Sequence, residues 1–100
     1  MKLSLEILNG ILDGYVVTLD AETTWGKAGQ GPLSFPWDTE LGAKQARFFP
    51  EGGNWWIEGY DAPHGTDCIN RGERVAEKVQ LNKGDVLKAS DTWILVNQID

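Results

Sequence analysis

Apolar and polar residues alternate along most of this chain instead of recurring every third and fourth position. Leu3, Leu5 and Ile7 fall on one face of an extended segment with Lys2, Ser4 and Glu6 on the other. Tyr15, Val17 and Leu19 repeat the pattern beyond a turn from Gly10 to Gly14. A period of two is that of a half-buried β-strand, whose successive side chains point to opposite faces. The same reasoning predicts strands over residues 23–25, 33–37, 43–48, 54–60, 67–70, part of 74–81, 85–88 and 92–97, with glycine or proline in nearly every gap. No ten-residue window carries a helical period with caps; 43–47 comes nearest, before Phe48-Phe49-Pro50 interrupts it. So many short strands in so short a chain predict an all-β protein, two antiparallel sheets packed face to face with next to no helix.

Length and composition narrow this picture. At 100 residues the chain is long enough for one core and too short for two, so residues 1–100 read as a single domain. With 41% hydrophobic and 24% charged residues it falls among globular rather than disordered chains. No apolar run reaches the roughly 18 residues that cross a bilayer. The opening Met1-Lys2-Leu3-Ser4-Leu5-Glu6 places charges where a secretion leader would be apolar. A cytoplasmic location is expected, with no membrane insertion of this segment. The net charge of −6 and nine scattered Lys and Arg residues argue against nucleic acid as a partner, because neutralising phosphates takes clustered bases.

Candidate chemistry is concentrated at DAPHGTDCINRG, residues 61–72, which holds the only histidine and the only cysteine. Cys68 cannot form an internal disulfide, and His64 alone does not complete a metal site with it, so no metal or cofactor is expected. As a general base His64 would need a nucleophile, Thr66 or Cys68, and an orienting acid, Asp61 or Asp67. Cys68 lies on an alternating stretch, where a lone cysteine behaves as a small buried hydrophobe. Pro63-His64-Gly65-Thr66 has the composition of a turn, and no enzymatic activity is expected. Among the five tryptophans, Trp25, Trp93 and one of Trp55 and Trp56 are expected in the core. The other of that pair must face outward, either joining Phe49 and Tyr60 in an apolar surface or covered by the stems of Arg47 or Lys44. An exposed Trp37 or Trp55 beside Asp38, Asn54 and Asp61 would suit a carbohydrate-binding sandwich.

The order of motifs is also informative. Gly10 to Gly14 is followed by a strand, Trp25-Gly26-Lys27, a long loop and Leu41-Gly42-Ala43-Lys44-Gln45-Ala46-Arg47-Phe48. Then come Trp56-Ile57, His64-Gly65-Thr66 with Ile69-Asn70, and Leu81-Asn82-Lys83-Gly84-Asp85-Val86-Leu87. This resembles the forkhead-associated (FHA) domain over almost the whole chain. The resemblance implies an antiparallel β-sandwich of about eleven short strands whose loops at one end bind phosphothreonine peptides.

Carried over singly, the family's functional residues are largely replaced. The Arg that contacts phosphate falls on Lys27, the phosphate-binding Ser on Gly42, and the Arg beside it on Ala43. The scaffold His falls on Gln45, and the Asn that grips the peptide backbone on His64. Gly26, Gly65, Thr66 and Asn70 keep their family identities. A phosphothreonine carries about −1.5 to −2 charges and needs several convergent donors. Lys27 offers a point charge in place of a bidentate fork, and Gly42 offers no hydroxyl. Each lost charge-assisted bond costs roughly 1.5 to 3 kcal/mol, which together removes two or more powers of ten in affinity.

The expected function is a non-catalytic protein-interaction or scaffold module that binds a protein partner largely independently of phosphorylation. Its contact residues are expected among Lys27, Gly42, Lys44, His64, Gly65 and Thr66, with Asn70 bracing the turn. Phosphothreonine-peptide binding through a rewired anion site of Lys27, Lys44 and His64 is the alternative within the family. The carbohydrate-binding sandwich is the alternative outside it.

Overall fold

A computed structural model describes all of residues 1–100. Ten strands form two antiparallel sheets: β1 (Leu3–Ile7), β2 (Val16–Leu19), β3 (Thr23–Trp25), β4 (Ala46–Glu51), β5 (Asn54–Gly59), β6 (Asp67–Cys68), β7 (Glu73–Arg74), β8 (Val79–Gln80), β9 (Val86–Ala89) and β10 (Thr92–Ile99). One sheet has the order β2-β1-β10-β9-β6-β7 and the other β3-β4-β5-β8. The only helical element is a 3-10 turn at Gly31–Leu33.

The predicted alternation sets which faces meet. Leu3, Leu5 and Ile7 of β1 and Ile94 and Val96 of β10 are buried, and so are Phe48, Trp55 and Ile57 of the opposite sheet. They belong to one core of 20 residues in which Trp25 packs its ring 6.2 Å from that of Phe48. β1 sits between β2 and β10, with Leu5 opposite Val17 on one side and Val96 on the other.

Several expectations are corrected. Residues 33–37 are not a strand: Pro32 favours the first position of a helical turn, and only a single parallel bridge, Gly26 to Ser34, remains there. The strands still number ten, close to the expected eleven, because the region around 74–81 supplies both β7 and β8. β4 begins at Ala46 rather than at Ala43, and the Gly42 and Ala43 carbonyls before it instead accept the backbone N–H groups of Lys27 and Ala28 in the neighbouring loop. Tyr15 does not share the buried face of Val17 and Leu19; it precedes β2 and is 62% exposed. Trp93 is not core. The inward phase of β10 is taken by Thr92, Ile94 and Val96, and an adjacent residue on a strand cannot share it.

Of the tryptophan pair, Trp55 is the buried one and Trp56 faces out. The Trp56 indole donates to the Glu51 carbonyl at 3.0 Å, and the Lys78 ammonium lies over its ring. The Arg47 guanidinium lies 4.0 Å above the Phe49 ring and pairs with Glu22 and Glu58. Phe49 is itself buried, so charged stems cover this face and no Trp–Phe49–Tyr60 patch is open.

At the far end from the candidate site, the Leu81-to-Asp85 turn closes on a buried carboxylate. Asp85 accepts the Asn82 backbone N–H at 2.7 Å, the Asn70 amide at 3.0 Å and the Arg71 guanidinium, which pairs with it through two nitrogens. Burial is the largest single influence on Arg71 and lowers its pKa, but the hydrogen bond to Asp85, the Asp85 charge and smaller contributions from Cys68 together raise it above the ordinary value.

Candidate functional site

The long connections between β3 and β4 and between β5 and β6 gather at one end of the sandwich with the β9–β10 turn. Gln45 joins the first two. Its Oε1 accepts the Gly42 N–H at 2.8 Å, while its Nε2 donates to the Gly65 carbonyl at 2.9 Å and to Thr66 Oγ1 at 2.8 Å. Gln45 and Thr66 are both 1% exposed. The amide thus uses its acceptor and its donors within a dry contact between two loops.

Gly42 is buried, and a Cβ added there would stand 2.8 Å from the Ala62 side chain. The place that a serine would occupy is therefore filled by the neighbouring loop. Gly65 adopts a left-handed φ of 67°, and a Cβ there would run into the Arg74 guanidinium. Arg74 in turn donates to the His64 carbonyl at 3.0 Å and pairs with Asp67 at 3.1 Å.

The expected cations do not converge. Lys27 Nζ reaches the Thr39 carbonyl at 3.3 Å, His64 Nε2 meets Glu40 Oε2 at 3.0 Å, and Lys44 is exposed with no bonded partner. The depression beside His64, about 340 Å³, is lined by Glu40, Asp67 and Asp91, with Lys88 as its one lysine. Asn70 stands apart from all of these. Its Oδ1 accepts the Val86 N–H at 2.9 Å and its Nδ2 meets Asp85, so it braces the opposite end of β6.

The imagined catalytic arrangement is absent as well. His64 turns to Glu40, the Thr66 hydroxyl oxygen accepts a hydrogen bond from Gln45 Nε2, and Cys68 Sγ reaches Asn70 Oδ1 at 3.2 Å. Burial and the Asp85 charge push the Cys68 thiol pKa up, keeping it protonated and a poor nucleophile. For a sugar platform, Trp55 is unusable because it is fully buried, and Trp37 has one face stacked on Phe35, centroids 5.3 Å apart.

Two residues whose structural role the sequence did not announce organise the rest of this end. Asp38, 7% exposed, accepts the Ser90 and Thr92 hydroxyls, each at 2.7 Å. Asn9 donates to the Asp91 carbonyl at 2.6 Å and accepts the Trp93 N–H at 3.0 Å. Both tie loops to the β9–β10 turn across more than fifty residues of sequence, and no local signal announces such pairs.

Two sheets in this strand order, with the long connections gathered at one end, define a β-sandwich that presents its loops together. No family model matches the sequence, and neither does any curated protein. Among solved structures it is similar to FHA domains. With that of a Chlamydia trachomatis protein it shares 18% identity over 100% of both chains at a TM-score of 0.82. With that of an Arabidopsis thaliana hypothetical protein it shares 23% identity over 99% of this chain and 86% of the other, again at 0.82. An FHA domain studied for phosphothreonine-dependent interactions gives 19% identity and 0.81 over 100% and 99%. The chain therefore has the FHA fold.

Proposed function

We propose that this chain is a protein-interaction module of FHA type, not an enzyme, whose loop end engages a partner without requiring phosphothreonine. The observation that carries the reading is at Gly42. The hydroxyl that would bind phosphate is missing, and Ala62 fills the space where its side chain would stand. The remaining donors support it: Lys27 and His64 are turned to a carbonyl and a carboxylate, and acidic side chains line the depression beside them. Gathering donors around phosphate would mean breaking these contacts first.

Binding of partners by this fold is supported by two neighbours. The FHA domain of human APLF has been solved with an XRCC1 bisphospho peptide, and that of FhaA with the intracellular domain of Rv3910. The reading includes a cytoplasmic setting, with which the single unpaired Cys68 is compatible.

The test is a calorimetric and NMR titration with matched phosphorylated and unphosphorylated threonine peptides. No phosphate-dependent heat, and no phosphate-dependent movement of the Gly42, His64 and Gly65 amides at millimolar peptide, is expected. Tight binding that needs the phosphate and disappears in Lys27→Ala overturns the proposal and establishes the rewired anion site.

A further inference from the structure

The three most exposed large apolar side chains are Ile11, Tyr15 and Val16, at 69%, 62% and 56%. They lie within six residues of one another, on the β1–β2 connection and the start of β2. Beside them is a groove of about 290 Å³. Ile11 and Leu12 form part of its wall, and Phe35 and Trp37 line it as well; Asp38, Thr39 and Asp91 supply polar lining.

Three features mark this groove as a docking site. Its walls are fixed, through Asp38 to Ser90 and Thr92, through Asn9 to Asp91 and Trp93, and through the Phe35–Trp37 stack. A ligand need not order them, so little of its binding energy is spent on the loops. The groove also contains no basic residue. Its acids are the exposed Asp91 and the buried Asp38, with Asp13 exposed on the β1–β2 connection; the nearest base is Lys27, whose ammonium is held at the Thr39 carbonyl. Finally, the connection that carries Ile11 and Leu12 leads into β2, the outer strand of its sheet, and a free strand edge can accept an extended chain.

We infer that the groove between the β1–β2 connection, the Phe35–Thr39 loop and the β9–β10 turn docks an extended segment of a partner protein, an aliphatic anchor flanked by Lys or Arg. This deepens the proposed function and rests on it, and it moves the contact away from Gly42, Lys44 and Gly65. Charge selects this occupant over a second copy of the chain, because two grooves that each present Asp91 and no lining base would repel on meeting. An aliphatic anchor fills the pocket, and flanking bases meet Asp91 and Asp13.

The test is an NMR titration of the intact chain with the synthetic peptide acetyl-Gly-Lys-Arg-Leu-Lys-Arg-Gly-amide. Three parallel probes are used: one with leucine changed to serine, one with aspartates in place of the bases, and a phosphothreonine peptide. Saturable shifts confined to Gly10–Leu12, Trp37–Thr39 and Asp91–Thr92 are expected. The serine probe should bind at least tenfold more weakly, and so should the parent peptide to Ile11→Ser, whose side chain is too exposed to support the fold. Lys83→Ala, on the turn at the other end, should change nothing.

Absence of shifts at 2 mM peptide, or equal shifts with the serine probe, overturns the inference while leaving the proposed function standing. Movement of the same amides on concentrating the protein alone assigns the groove to self-association. Co-sedimentation with anionic phosphatidylserine vesicles assigns it to lipid. Either result overturns the inference. Phosphate-dependent shifts at His64 and Gly65 overturn the proposed function with it.

Discussion

Replacing Gln45 with alanine removes the one side chain that joins the two loops of the carried-over pocket. The Gly42 N–H loses its acceptor, and the Gly65 carbonyl and the Thr66 hydroxyl lose their donor. A buried backbone group left without a partner costs about 1 to 3 kcal/mol. Gly42 and Thr66 are buried, whereas Gly65 is only half-buried and can recruit water. Counting Gly42 fully and the others in part gives an expected loss of about 2 to 4 kcal/mol. That is a large share of the roughly 5 to 15 kcal/mol that stabilises a domain. In urea unfolding followed by tryptophan fluorescence, the midpoint should fall with an unchanged slope. The melting temperature should drop by about 8 °C or more. Gln45→His retains a donor and an acceptor and should recover at least half of the loss. A Gln45→Ala protein within about 0.5 kcal/mol of the parent would refute this account, since that is the range of an ordinary surface change.

Three further outcomes follow from the same structure. Arg71→Ala strands the buried Asp85 carboxylate. With the Arg71 side chain 26% exposed, the cost should fall near the low end of the 3 to 5 kcal/mol typical of a broken buried pair, about 3 kcal/mol by denaturant titration. Gly42→Ser, which restores the family's hydroxyl, should not restore phosphothreonine binding by calorimetry, and it should destabilise by about 1 to 3 kcal/mol through its contact with Ala62. Adding Ala62→Gly should return most of that stability, and a stable single variant that binds phosphopeptide would contradict the crowding. For Cys68, burial raises the folded thiol above its ordinary value, so folding favours the protonated form. That contribution is intact below about pH 8 and declines as the pH rises through the unfolded and then the folded thiol range. Cys68→Ala should flatten the alkaline limb of the stability profile, and iodoacetamide should label the native thiol far more slowly than the urea-unfolded one.

The alternation of Leu3, Leu5 and Ile7 with Lys2, Ser4 and Glu6 was enough to place β1. Similar patterns located most other strands to within a few residues, because which face of a strand meets the core is a local property with a period of two. The same rule assigned one of Trp55 and Trp56 to the surface, but the choice between them depended on the register of β5 against β4. The inward phase of β10, set by Ile94 and Val96 against the opposite sheet, turned Trp93 outward. The motif order indicated the FHA fold and the missing phosphate donors, since a glycine has no hydroxyl wherever it is placed. Tertiary structure alone decided what replaced them. Ala62 beside Gly42, Gln45 across to Thr66, Glu40 on His64, and Asp38 under Ser90 and Thr92 are partners 20 to 54 positions apart. Chain closure brings such groups within bonding distance, and local periodicity carries no information about pairs formed at that range.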